Sequence, residues 1–135
     1  MGTAVIEIEG IGEVYSAKLS EVGITTVEGL LETGATRKGR EELATKSGIS
    51  GTLILTWVNH ADLFRIKGVQ KQYAELLEAA GVDSVPELAQ RDPANLTKKM
   101  AETNEAKNLV RLVPSESQVT SWVAEAKTLP RVVTH

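Results

Sequence analysis

Apolar residues recur along this chain at spacings of three and four, interrupted by glycines, and the spacing predicts a series of short amphipathic helices. They are expected over 13–22, 27–33, 37–46, 51–63, 71–80, 85–90, 93–102, 105–112 and 116–128. Strand-like pattern is confined to "AVIEIE" near the start and "RVVTH" at the end. Gly23 and Gly81 each follow an apolar-periodic stretch, where a left-handed residue would end a helix. Thr25 with Glu28 has the spacing of a capping box, and Asp83 stands at the matching place further on. Asp92 before Pro93 reads as a helix cap followed by proline at the first helical position. Ser115 with Gln118 is a second capping-box pattern, with Ser50 in the corresponding earlier position. Helices this short are marginal alone, so they are expected to pack together.

The same pattern occurs twice. "IEGIGEVYSAKLSEVGITTVEGLL", from Ile8, aligns with "IKGVQKQYAELLEAAGVDSVPELA", from Ile66, at a constant offset. Gly10 falls on Gly68, Tyr15 on Tyr73, Leu19 on Leu77, Gly23 on Gly81, Val27 on Val85 and Leu30 on Leu88. Later in each copy, "LILTWVNHADLFRI" resembles "SQVTSWVAEAKTLPRV", with Trp57 over Trp122. Turn glycines and helix-spaced apolar residues are the positions a fold needs, so the expectation is two copies of one unit. They would span 1–64 and 65–135, the second carrying a short helical insertion near 100–110, around one shared core.

An apolar residue, a glycine, an apolar residue and a glycine, followed by Tyr and Leu at helical spacing and then Gly-Ile, resembles the helix-hairpin-helix motif. The whole chain is also similar to a bacterial family of unknown function built from that unit, with "ADLFRIKGV" and "ANL" as further marks. The resemblance implies an all-α fold made of two pseudo-repeated helix-hairpin-helix units. In members of that superfamily that bind nucleic acid, hairpin amides and the positive end of the next helix hold a phosphate, with no base read. Other members bind proteins and touch no nucleic acid.

Charge changes this picture. The chain has 135 residues and a net charge of −3, a balance that does not favour polyanions. Residues 1–64 hold five bases against nine acids, and residues 65–135 hold ten against nine. An anion site therefore belongs in the second half. Hairpin one, Gly10-Ile11-Gly12, has both glycines but is flanked by Glu7, Glu9 and Glu13. Three carboxylates outweigh the partial charge of one helix end. Its role is expected to be structural, with Ile11 in the core, or in interaction with a partner. Hairpin two carries Arg65, Lys67 and Lys71 around Gly68, but Gln70 replaces the second glycine. A side chain there is expected to restrict the backbone and to hold a phosphate off, or to donate a hydrogen bond to it. Arg65, Lys67, Gly68, Gln70 and Lys71 are thus the nucleic-acid-binding candidates. Arg37, Lys38 and Arg40, the Lys98-Lys99 pair, and Lys107 with Arg111 on one helical face would extend a basic footprint.

Catalytic chemistry has little support. His60 and Asp62 lie two apart in a helical run and diverge around its axis. No Ser-His-acid set and no dense His/Asp/Glu cluster is present, and the chain has no cysteine, so no metal or cofactor is expected. Trp57 and Trp122 are expected in the core. The apolar runs are too short to span a bilayer and the N-terminus lacks a secretory pattern, so a cytoplasmic protein is expected.

The reading is a non-catalytic binding module. It would contact the phosphate backbone of DNA or RNA weakly and without sequence preference through hairpin two. The alternative is a protein-interaction or assembly module that binds no nucleic acid. Self-association is also expected: the C-terminal helix would pack beside the N-terminal hairpin, within one chain or between copies.

Overall fold

A computed structural model describes residues 2–135; residue 1, the first of the expected first unit, lies outside it. The protein is all-α. A 3₁₀ turn, Val5–Glu7, precedes eight helices among the described residues: α1 (Glu13–Glu21), α2 (Val27–Gly34), α3 (Arg37–Ser47), α4 (Gly51–Leu63), α5 (Lys71–Ala79), α6 (Val85–Ala89), α7 (Pro93–Lys107) and α8 (Glu116–Thr128). They form two compact units. The first runs to Asp62 and takes in Val132–His135; the second is Leu63–Arg131.

In the first unit α3 packs on α1 and α2, and the 3₁₀ turn packs on the same two helices. Its core includes Ile8, Leu19, Leu30, Ile54 and Trp57. Gly34 is buried at the end of α2, where an added Cβ would overlap Val58 Cγ2. The C-terminal segment joins this unit through Arg40. Its guanidinium is buried and donates to the carbonyls of Gly34 (2.8 Å), Ala35 (3.2 Å) and Thr134 (2.7 Å). A cation at the last carbonyls of α2 opposes the negative end of the helix. Burial lowers the Arg40 pKa, as does neighbouring Arg37, while Glu41 acts in the opposite sense.

In the second unit α8 packs on α6 and α7, and α5 packs on α7. One apolar cluster runs through it, from Leu63 and Ile66 to Val119, Trp122, Val123 and Ala126.

Several local expectations are met and several shift. Gly23 (φ 85°) and Gly81 (φ 97°) are left-handed. The next residue in each case donates across the helix end, Ile24 to Leu19 (2.9 Å) and Val82 to Leu77 (2.8 Å), as a glycine-terminated helix does. Asp92 caps α7 and Ser115 with Gln118 forms a complete capping box on α8. The caps of α2 and α6 fall one residue later than expected, on Thr26 and Ser84. Thr25 instead presents its carbonyl to Val5 N–H (3.1 Å). This contact and Val27 N–H to Thr3 O (2.7 Å) are all that "AVIEIE" makes of a strand, besides an isolated bridge between Ala4 and Thr26. The chain then tightens into the 3₁₀ turn and delivers Ile8 to the core. "RVVTH" forms no strand; Thr134 N–H meets Ala35 O at 2.8 Å.

The helices expected over 93–102 and 105–112 are replaced by a single α7. Asn104, which fell between the two expected helices, lies inside it. Its side chain accepts from Leu109 and Val110 N–H (2.7 and 2.9 Å) and donates to Val110 O (3.0 Å). That set folds the chain back after Asn108, which is left-handed at φ 51°. Arg111 therefore lies beyond the helix and does not share a helical face with Lys107.

Candidate functional site

The turns that lead into α1 and α5, hairpins one and two of the sequence reading, share several features. Ile11 N–H bonds Ile8 O (3.1 Å) in hairpin one, and Val69 N–H bonds Ile66 O (3.0 Å) in hairpin two. All four of these apolar side chains are buried. Gly10 (φ 95°) and Gly68 (φ 90°) take the left-handed conformation that favours glycine. A tryptophan lies beneath each. A Cβ on Gly10 would come within 3.3 Å of Trp57 Nε1, and one on Gly68 within 3.4 Å of Trp122 Nε1. Each indole also meets the tyrosine of the following helix, Tyr15 with Trp57 at 5.0 Å and Tyr73 with Trp122 at 5.3 Å between ring centroids. Aromatic pairs at such separations and angles lock the turn onto the unit below it.

The second position of the hairpin does not need glycine. Gly12 caps α1 at φ −92°, ψ −168°, and Gln70 caps α5 at φ −131°, ψ −163°. Both are extended backbone open to any residue, and a Cβ on Gly12 meets nothing within 4 Å. The restriction expected from Gln70 is therefore absent. Its exposed side chain stands at the mouth of α5 without altering the turn.

What surrounds the two turns differs in sign. Glu7, Glu9 and Glu13 are all exposed around hairpin one. Lys67 is exposed at hairpin two, with Arg65 and Lys71 half-buried beside it. Hairpin two is also partly engaged by its own unit. Arg65 Nη2 donates to Pro130 O (2.7 Å), and Glu125 Oε1 accepts from Lys67 N–H (3.1 Å). A carboxylate thus holds one of the amides beside Gly68. Shallow clefts of about 310 and 370 Å³ flank Gly68, the first beside Gln70, Lys71 and Tyr73, the second beside Ser117, Ser121 and Glu125.

The wider basic footprint contracts. Arg40 is buried in its carbonyl clamp, and Arg37 pairs with Glu41 at 3.2 Å. Lys38, Lys98, Lys99, Lys107 and Arg111 are exposed. The apolar face of α8, with Val119, Trp122, Val123 and Ala126, packs into its own unit and against hairpin two. The last segment, Val132–His135, belongs to the first unit. Residues 57 and 122 were legible as core from their repeated place. The Glu125 contact and the Arg40 clamp were not, since each links residues far apart in sequence. His60 and Asp62 are both buried in the last turns of α4. Among the described residues no group of three or more His, Asp or Glu stands together as a metal site, and no helix is long and apolar enough to cross a membrane.

A family model described as a domain of unknown function, DUF4332, matches residues 9–129. The chain belongs to the DUF4332 family. The match takes in both hairpins from Glu9 onward and closes at Leu129, just after α8. No curated protein and no solved structure matches the chain.

Proposed function

We propose that this DUF4332 chain is a non-catalytic interaction module made of two helix-hairpin-helix units, that its hairpins make its contacts, and that its partner is a protein. One observation carries the reading. The same turn, over the same Trp–Tyr pair, is rimmed by carboxylates in one unit and by amines in the other. A phosphate-binding protein gains by making both hairpins basic, because each neutralised phosphate adds affinity. Surfaces of opposite sign instead suit recognition of charged protein surfaces, where complementarity sets partner and register. Cytoplasmic placement belongs to the same proposal.

A second reading is kept alive by hairpin two alone. Lys67 and Gly68 are exposed next to the positive end of α5, an arrangement suited to one phosphate of DNA or RNA. The carboxylate of Glu125 on the Lys67 amide weighs against it. Titration of short duplex and single-stranded DNA at about 50 mM salt separates the two, since phosphate contacts are strongest there. No binding is expected. Binding that disappears in Lys67→Glu/Lys71→Glu would transfer the function to nucleic acid.

A further inference from the structure

Residue by residue, the charges of the two hairpins are reversed. Glu7 stands where Arg65 stands, Glu9 where Lys67 stands, and Glu13 where Lys71 stands, at the constant offset that also superposes Gly10 on Gly68 and Tyr15 on Tyr73. Because the φ angles at the two glycines agree within a few degrees, the two rims are displayed on matching frames.

A second observation is independent of charge. Among the described residues the large apolar side chains that lie exposed are Ile6 (39%), Val14 (69%) and Leu112 (75%). Ile6 and Val14 flank hairpin one, in the turn before it and the first turn of α1. Leu112 is tied to the helix that follows hairpin two, because its carbonyl accepts from the hydroxyl of Tyr73 (3.1 Å). A single exposed apolar residue needs no explanation, but here two of the three flank hairpin one and the third is tied to the helix that follows hairpin two. Each turn therefore has an exposed apolar residue on or next to the segments that carry it, and the charged residues that flank the two turns in sequence are opposite in sign.

We infer that hairpin one of one copy docks on hairpin two of a second copy. The inference rests on the interaction-module reading and names its partner: the same chain. Glu9 and Glu13 meet Lys67 and Lys71, while Ile6 and Val14 cover Leu112. Two different patches meet, so the contact is heterologous and links copies head to tail. Like-charged hairpins repel, which excludes the mismatched pairings of one with one and two with two. Arg65, tied to Pro130, adds to the positive charge on that side, and the docking rests on the opposite charge of the two turns.

Sedimentation equilibrium tests this with the whole chain at about 50 mM and about 0.5 M salt, where screening is weak and strong respectively. Wild type is expected to associate with rising concentration at low salt and to dissociate at high salt. Glu9→Lys/Glu13→Lys makes both hairpins basic, and Lys67→Glu/Lys71→Glu makes both acidic. Each variant alone is expected to lose association by more than about tenfold, through like-charge juxtaposition. An equimolar mixture of the two is expected to associate again, and so is the chain carrying all four substitutions. That rescue cannot come from a folding defect, and unchanged circular dichroism of each variant checks the fold directly. A wild-type chain that stays monomeric at low salt overturns the second copy as partner, while the interaction-module reading keeps its own test in the DNA titration. Association that is indifferent to both reversals, or not restored in the mixture, overturns the docking of unlike hairpins.

Discussion

At Gly10 and at Gly68 the chain makes one turn twice, over an indole and into a helix, yet Glu9 and Glu13 edge the first turn and Lys67 and Lys71 the second. The difference separates two kinds of constraint. Buried positions match because each unit must close its core beneath the hairpin: Ile8 and Ile66, Ile11 and Val69, Trp57 and Trp122. The charged positions lie outside these cores, so core closure leaves their sign open. Fold and charge thus report on different things, and the proposed interaction rests on the second.

The largest expected effect breaks the tryptophan support on either side. Trp57→Ala and Trp122→Ala should each cost about 3–5 kcal/mol, the range for truncating a buried tryptophan. Urea unfolding reads it, and the remaining tryptophan of each variant reports fluorescence from the other unit. Comparable losses would uphold the likeness of the two hairpins; a loss confined to one would break it. Arg40→Met should cost about 2–4 kcal/mol, because the carbonyls of Gly34, Ala35 and Thr134 lose a charged donor. Proteolysis of the C-terminal segment should rise in that variant, since Thr134 loses its strap.

The glycines give a finer contrast. Gly10→Ser and Gly68→Ser place a side chain at φ near 90° against an indole, and each should lower stability by about 1–2 kcal/mol. Gly12→Ser should be neutral or mildly stabilising, since Gly12 has ordinary φ, open space and a helix-capping position that suits serine. Thermal unfolding of the three variants orders them. Among the destabilising changes the smallest effect is expected for Glu125→Ala, about 1 kcal/mol for one lost acceptor. Hydrogen exchange at the Lys67 amide should accelerate there and leave hairpin one unchanged.

Much of this was legible in the residues. Helix-ending glycines, the Asp92 and Ser115 caps and the placement of most helices follow from local rules, because the groups involved sit within a turn of each other. Errors arose where distant backbone took a local donor or acceptor. Thr25 gave its carbonyl to Val5, so the cap moved to Thr26. One helix was read as two around residues 103–104, yet the Asn104 side chain lies within α7 and binds backbone that only returns after the helix ends. At the hairpins, charge and glycine pattern were visible in the sequence. Hidden were the conformation at Gln70, which is extended like that at Gly12, and the carboxylate of Glu125 on the Lys67 amide. The first depends on ψ, and the second on a helix nearly half the chain away.

The most direct measurement labels one population of the chain with ¹⁵N and adds unlabelled chain at low salt. If unlike hairpins meet between copies, amide shifts move together over residues 6–14 and 67–73, and over Leu112, and they return when salt is raised. Shifts at only one hairpin, shifts centred on the exposed face of α7, or no change with concentration would contradict it.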